Sequence, residues 1–339
     1  MRLRSKVDLQ AVADAAQVHR STASRALNPA TRHLVGAAAI LRVQEAAHVL
    51  GYRRDALAAS LRTGRSMLVG VMVPDIVNPV FAPILQGIET ALARCGYSAL
   101  VANAGNDAQR QRVVAGQLIG HRVDGLILAT AAEEDSTVSL ALEVPIPIVL
   151  VNRAERICRV PSVVSDDGAG MRLAVEHLVA EGHRRIGHLA GPAHLSTGAQ
   201  RLAGFCAAMR EAGLDGCAVV QAQAYRRSAG SLATVELLRK FDVTAIVAAN
   251  DMLALGAYRA IAALGLRCPD DLSVVGHNDM PLVDQVAPPL TTVRIDPLGL
   301  GGRAAGLMVA WLEDGSAPPA MLHVTTPSLV VRGSTRRIG

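Results

Sequence analysis

Aromatic side chains are rare here: three Phe, four Tyr and one Trp, 2% of 339 residues. A core must therefore be filled by Ala, Leu, Val and Ile, and the 50% hydrophobic content is enough to do so. Cysteine is scarce as well. Cys95, Cys158, Cys206, Cys217 and Cys268 lie scattered with no C-x-x-C pair, so neither a zinc site nor a disulfide framework is indicated. No run of eighteen apolar residues occurs, and no basic segment followed by a long apolar one opens the sequence. The expectation is a cytoplasmic protein that neither spans a membrane nor is exported. Absent too are G-x-S-x-G, H-E-x-x-H, Walker A and G-x-G-x-x-G elements. His177, His183 and His188 stand at no spacing that ties them to a nucleophile, and His183 falls in a helix-to-strand turn where a structural role is simpler. Binding without turnover is expected, with no cofactor and no metal.

What is present is unevenly placed. The net charge is +5, yet residues 1–65 hold ten Arg and Lys6 against Asp8, Asp14, Glu45 and Asp55, a surplus of +7. The remaining 274 residues sum to −2. Solubility does not require that segregation, and a polyanionic partner explains it.

Within the basic head, Leu9, Val12, Ala13 and Ala16 recur at the spacing of one helix face, with Asp8 placed to cap it. After Gln17-Val18-His19-Arg20, Ser21 is expected to cap a second helix over 22–28 that buries Ala23, Ala26 and Leu27. Arg20, Ser21, Ser24 and Arg25 then point outward. Two short helices with arginines and hydroxyls on the second fit a helix-turn-helix, in which Arg forks onto guanine O6 and N7. A third helix is expected over 37–50, stopped by Gly51. Residues 54–65 form a short Ala/Leu helix and a Gly-containing linker, either a simple tether or a DNA-facing element that inserts Leu61 into a minor groove.

From Ser66 the pattern becomes α/β. Apolar runs such as Met67–Val73 read as parallel strands buried on both faces, and helices alternate with them in two similar halves. Ligands in such folds bind beyond the carboxyl ends of the strands. Polar residues gather there: Asp75 and Asn78, Asn103, Asn106 and Asp107, Asn152-Arg153, Asp166-Asp167, Asn250-Asp251, and His277-Asn278-Asp279. Arg201 is expected in a helix starting at Gln200, and Phe81 or Tyr225 offers a flat face. Singly these are turn and cap residues; as a set they favour a pocket for a polar metabolite.

These stretches carry a resemblance. Val18-His19-Arg20-Ser21-Thr22-Ala23-Ser24-Arg25-Ala26-Leu27-Asn28, Val73-Pro74-Asp75-Ile76-Val77-Asn78-Pro79, Ala249-Asn250-Asp251-Met252-Leu253-Ala254-Leu255-Gly256 and Pro289-Leu290-Thr291-Thr292-Val293 occur in order. The chain resembles the LacI/GalR family of bacterial transcriptional regulators over essentially its whole length.

The resemblance implies an N-terminal three-helix helix-turn-helix domain (5–53), a hinge helix and linker (54–65), and a periplasmic-binding-protein-like body of two parallel-sheet lobes. The N-terminal lobe would comprise 66–165 and 293–326, the C-terminal lobe 166–292 and 327–335. Arg20, Ser21 and Arg25 would face bases, Ser24 would hold the backbone, and Arg54, Ala58 and Leu61 would meet DNA from the hinge. Asn78, Phe81, Asn152, Arg201, Tyr225, Asn250 and Asn278 would face a small polar effector, a sugar, sugar acid or similar compound. The implied partner is palindromic double-stranded operator DNA, bound by a homodimer or tetramer in the nucleoid.

Three departures stand out. Gln17 occupies the place of a usual turn glycine, Arg54 that of a usual proline, and Asn278 that of a frequent aspartate in the sensor. Alternatives from other classes are a solute-binding transport component of the same two-lobe fold, which would lack the basic head, and an enzyme fused to a DNA-binding domain. Among regulators, an activator is the alternative to a repressor.

Overall fold

The structure, a computed structural model, describes residues 7–28, 31–52, 64–214 and 216–338. The chain divides into two compact units between Ser66 and Met67. Arg54, Ala58 and Leu61, and the hinge helix expected around them, lie outside the described residues.

The first unit is built from α1 (Leu9–Ala15), α2 (Arg20–Ala26), a 3-10 turn (Arg32–Leu34) and α3 (Ala37–Val49). Asp8 caps α1 by accepting the Ala11 N–H at 2.9 Å. Ser21 does not cap α2. The helix starts two residues earlier, at Arg20, and the His19 ring nitrogen Nδ1 accepts the Ser21 N–H at 3.3 Å.

Both α1 and α3 end in the same hydrogen-bonded device. After α3, Tyr52 N–H bonds the Ala47 carbonyl at 2.8 Å and Gly51 N–H the His48 carbonyl at 3.1 Å, with Gly51 at φ +65°. After α1, Val18 N–H bonds the Ala13 carbonyl at 3.0 Å and Gln17 N–H the Asp14 carbonyl at 3.1 Å. Gln17 thus occupies the left-handed position, φ +55°, that glycine fills at the other stop. Val12, Ala13, Ala16, Ala23, Ala26, Val43 and Ala47 form the small core, with Val18, Leu27 and Tyr52 packed around it. Leu27 is only half-buried.

The second unit has two six-stranded sheets. The first holds β1 (Leu68–Val73), β2 (Ser98–Asn103), β3 (Gly125–Leu128), β4 (Ile148–Val151), β5 (Ser162–Ser165) and β11 (Leu322–Thr325), in the order β11-β5-β4-β3-β1-β2. The second holds β6 (Ile186–Ala190), β7 (Ala218–Gln221), β8 (Ala245–Ala248), β9 (Ser273–Asn278), β10 (Thr291–Arg294) and β12 (Ser328–Val330), in the order β12-β10-β9-β8-β6-β7. All pairs are parallel except β10 with β12. Both sheets thus share one doubly wound order. Strands β3, β4 and β8 are buried at every residue, as their unbroken apolar runs require.

Helices flank each sheet: α4 (Phe81–Arg94), α5 (Ala108–Gly120), α6 (Ser136–Glu143) and α11 (Pro297–Asp314) in the first lobe. The second lobe carries α7 (Asp167–Ala180), α8 (Ser196–Glu211), α9 (Arg227–Lys240) and α10 (Asp251–Ala263). Helices α4 and α11 touch backbone to backbone: a Cβ added to Gly301 would stand 2.1 Å from the Ile84 carbonyl oxygen. The chain passes between the sheets three times, after β5, after β10 and after β11. The second passage follows Arg294 rather than Val293. Both residues stay in β10, in register with His277 and Asn278.

Candidate functional site

Helix α2 presents Arg20, Ser21 and Arg25 on its exposed face and keeps Ser24 half-buried. The Ser21 hydroxyl and His19 Nδ1 lie 2.8 Å apart, which steadies the first turn. Other arginines of this unit serve the fold. Arg32 Nε donates to the Ala26 carbonyl and Arg42 Nε to the Ala16 carbonyl, each at 3.2 Å, so both cover helix ends. Arg20 and Arg25 make no ion pair among the described residues. Two uncommitted guanidinium groups on one short exposed helix can fork onto base edges or phosphates.

The second unit has a site where strand ends from both sheets converge. Asn78 and Phe81 follow β1, Asn152 follows β4, Arg201 stands in α8, Tyr225 follows β7, Asn250 follows β8 and Asn278 ends β9. All seven line one cavity. Val80, Arg153 and Thr197 complete it. Helix α8 begins at Ser196, four residues before the expected start at Gln200, and this carries Thr197 into the site. Phe81 belongs to the apolar core as well, being only 2% exposed. The cavity's volume is about 20 Å³, room for one water molecule. Across its mouth the Ala154 N–H meets Ser196 Oγ at 3.3 Å, and Arg226 pairs with Asp75 at 3.5 Å. The two lobes are closed on each other.

The asparagines combine fold and site. Asn250 caps α10, its Oδ1 accepting the Leu253 N–H at 3.0 Å, which leaves its amide donors over. Asn152 and Asn278 have positive φ, +65° and +115°, a region in which asparagine is enriched. The amide oxygen of Asn278 lies 3.1 Å from His277 Nδ1. The Tyr225 hydroxyl donates to Thr197 Oγ1 at 3.3 Å, and burial pushes its pKa up. Gly191 makes room for it, since a Cβ there would lie 2.2 Å from the Tyr225 oxygen.

A buried polar layer stands behind the cavity. Arg201, 3% exposed, donates from Nε to Asp167 at 2.8 Å and from Nη1 to the Ala249 carbonyl at 2.6 Å. Asp251 accepts the Met280 N–H at 2.8 Å and the Thr292 hydroxyl at 2.6 Å, and burial raises its pKa to about 7 against those bonds. His277 is pushed well below the usual histidine range, by burial first and by the Arg201 charge second. His188 falls to about 4 for the same main reason. Its ring stacks on Phe205 at 4.6 Å, and its Nδ1 donates to the Val247 carbonyl at 2.8 Å. His183 is a buttress: Nδ1 meets Thr244 Oγ1 at 2.9 Å, and Nε2 meets Ser273 Oγ at 3.1 Å and the Arg336 carbonyl at 3.2 Å.

Val80, Arg153 and Thr197 are the site residues that sequence reasoning left out of its effector-facing set. Arg153 stood beside Asn152 in the strand-end cluster, and only its burial marks it. No group of three or more His, Cys, Asp or Glu able to hold a metal occurs among the described residues. No described helix is long and apolar enough to cross a membrane.

Residues 175–335 match the family profile of the periplasmic binding protein-like domain. Over 336 residues the chain is 36% identical to the HTH-type transcriptional regulator MalR of Streptomyces coelicolor, covering 96% of this chain and 95% of that protein. The lac repressor dimer bound to operator and the anti-inducer ONPF superposes with a TM-score of 0.87 at 28% identity, covering 98% of this chain and 100% of that one. The complex of the transcriptional regulator CelR with cellobiose gives a TM-score of 0.74 at 30% identity, with 97% and 99% covered.

Proposed function

Because the chain belongs to the LacI family of HTH-type transcriptional regulators, we propose that it is a repressor whose operator affinity is set by a small polar metabolite held between its lobes. Helix α2 enters the major groove, with Arg20, Ser21 and Arg25 on base edges and Ser24 on the backbone. A homodimer places two such helices on the half-sites of a palindrome. The observation that carries the effector half of this reading is the convergence of seven polar and aromatic residues, drawn from both lobes, on a single cavity. Because that cavity holds about one water, a metabolite enters only if the lobes part, and its presence changes how they sit. A coupling of about 1–3 kcal/mol between cleft and head would alter operator affinity roughly 5- to 150-fold. In support, lac repressor appears with operator and CelR with cellobiose.

The test selects duplexes from a random pool with the full chain, then titrates the selected operator. Arg20→Ala or Arg25→Ala should cost roughly 1–3 kcal/mol on the operator and relax base preference at one position of each half-site. An equal loss on random duplex would assign that side chain to phosphate instead. Operator affinity that does not change when a metabolite saturates the cleft would defeat the regulatory half of the proposal.

A further inference from the structure

Resting on that reading of the cleft, we infer that its metabolite is an anion, a small hydroxylated compound whose carboxylate or phosphate is gripped by Arg153. The guanidinium of Arg153 is buried, 4% exposed, directly on the cavity. Its Nη1 donates to Asn106 Oδ1 at 3.0 Å, its Nε is buried without a hydrogen-bond partner, and no carboxylate pairs with it among the described residues. Arg201 on the same cavity is matched by Asp167. The cavity lining thus holds two guanidinium groups and no carboxylate. Of the nearby acids of the first lobe, Asp135 acts on Arg153 through its charge without pairing with it and caps α6 through Thr137 and Val138, and Glu155 pairs with Arg159.

A buried cation without a carboxylate paired to it is costly, and guanidinium does not escape by losing its proton at neutral pH. Burial lowers the Arg153 pKa only to about 10, so the charge persists at neutral pH. One water in a 20 Å³ space brings no compensating charge. A neutral polyol would leave the same deficit, with a hydration shell removed besides. An anionic group removes it, because the planar fork of guanidinium matches two oxygens of a carboxylate or phosphate. The amides of Asn152, Asn250 and Asn278 suit hydroxyl groups on the same molecule. Beside the site, a second cavity of about 300 Å³ shares Asn78 and Tyr225 and gives the uncharged remainder space when the lobes part.

The experiment uses the full chain, wild type and Arg153→Met, with matched probes: D-glucuronate and D-glucose 6-phosphate against D-glucose, and ribose 5-phosphate against ribose, with inorganic phosphate and acetate as minimal anions. Melting and titration calorimetry are expected to show that at least one anion stabilises and binds wild type while its neutral counterpart binds about tenfold or more weakly. Arg153→Met should melt higher than wild type without ligand and lose the anion's effect. The carboxylate and phosphate arms decide which group is read. No anion binding, equal binding by a neutral counterpart, or undiminished anion binding in Arg153→Met would each overturn the inference. If that variant does not fold, the wild-type comparison of charged with neutral probes decides alone. Operator affinity measured in the same samples keeps the two readings apart. An anion that binds through Arg153 without altering DNA affinity defeats regulation and leaves this inference standing; a neutral sugar that alters DNA affinity does the reverse.

Discussion

His188 has a folded pKa near 4 against an ordinary 6.5, so the native protein holds it neutral where the unfolded chain would protonate it. The unfolded state therefore binds more protons between those values, and stability from this group is complete above pH 6.5 and lost as pH falls toward 4. The full window corresponds to about 3 kcal/mol. His188→Leu removes the titration. Urea unfolding of both proteins should show wild type losing ground to the variant by up to about 1.4 kcal/mol per pH unit below pH 6.5. A constant difference from pH 7 to pH 4.5 would mean that the ring is hydrated rather than sealed. His277 acts in the same direction, and Asp251, raised to about 7, acts against both. Only the comparison with a His188 variant isolates the one ring. None of this was legible in the sequence, where the three histidines marked no catalytic site and carried no sign of depth. Arg153 stood in the strand-end cluster but not among the effector-facing residues for the same reason: residue type announces charge, but only packing announces that the charge is buried. Asn250 and Asn278 were legible, because an amide at the end of a strand is informative whether it caps a helix or faces a ligand. In Asn250 it caps α10 and lines the cavity together.

At the scale of elements, the helix stop between α1 and α2 can be tested by its own duplicate. Gly51 after α3 adopts the left-handed conformation without cost, whereas Gln17 carries a Cβ into it. Gln17→Gly should stabilise the first unit by about 1 kcal/mol, since left-handed strain outweighs the added freedom of the unfolded chain. Chemical denaturation followed by circular dichroism on the full chain would check it. A loss of stability would indicate that the glutamine side chain makes a contact worth more than the strain. Periodicity served well for elements with a long repeat or a cap, so α1, α3 and β1 were readable. It failed for β5 and α6. Ser162–Ser165 is four residues long between Pro161 and Asp166, too short for any period to declare itself, and Ser136–Glu143 is only eight. The start of α8 was misplaced because Leu195-Ser196-Thr197-Gly198 looks like turn material, yet Gly198 packs its Cα against Pro192 so closely that a Cβ would stand 2.0 Å from that carbonyl oxygen.

For the whole molecule, three chain passages join lobes that share one polar cavity, and that arrangement permits motion about the passages. What holds the lobes closed at the mouth is slight. Arg226 and Asp75 form an exposed pair at 3.5 Å, their side chains 68% and 27% accessible, a contact worth less than about 1 kcal/mol in salt. The Ala154 N–H to Ser196 Oγ bond is long at 3.3 Å. Opening at the mouth breaks only these two contacts, and a cavity sized for one water makes it obligatory for any larger guest. Replacing Asp75 and Arg226 by cysteine places two thiols across the mouth, outside the lining of the 20 Å³ cavity although both positions border the 300 Å³ one, and a bifunctional methanethiosulfonate can span them through two mixed disulfides. The cross-linked form should lose metabolite uptake and any metabolite-dependent change in operator affinity relative to the same cysteine variant left unlinked, and reductant should restore both. If the locked protein binds its metabolite as fast as the reduced one, entry does not run between the lobes, and the closed cleft is not the gate.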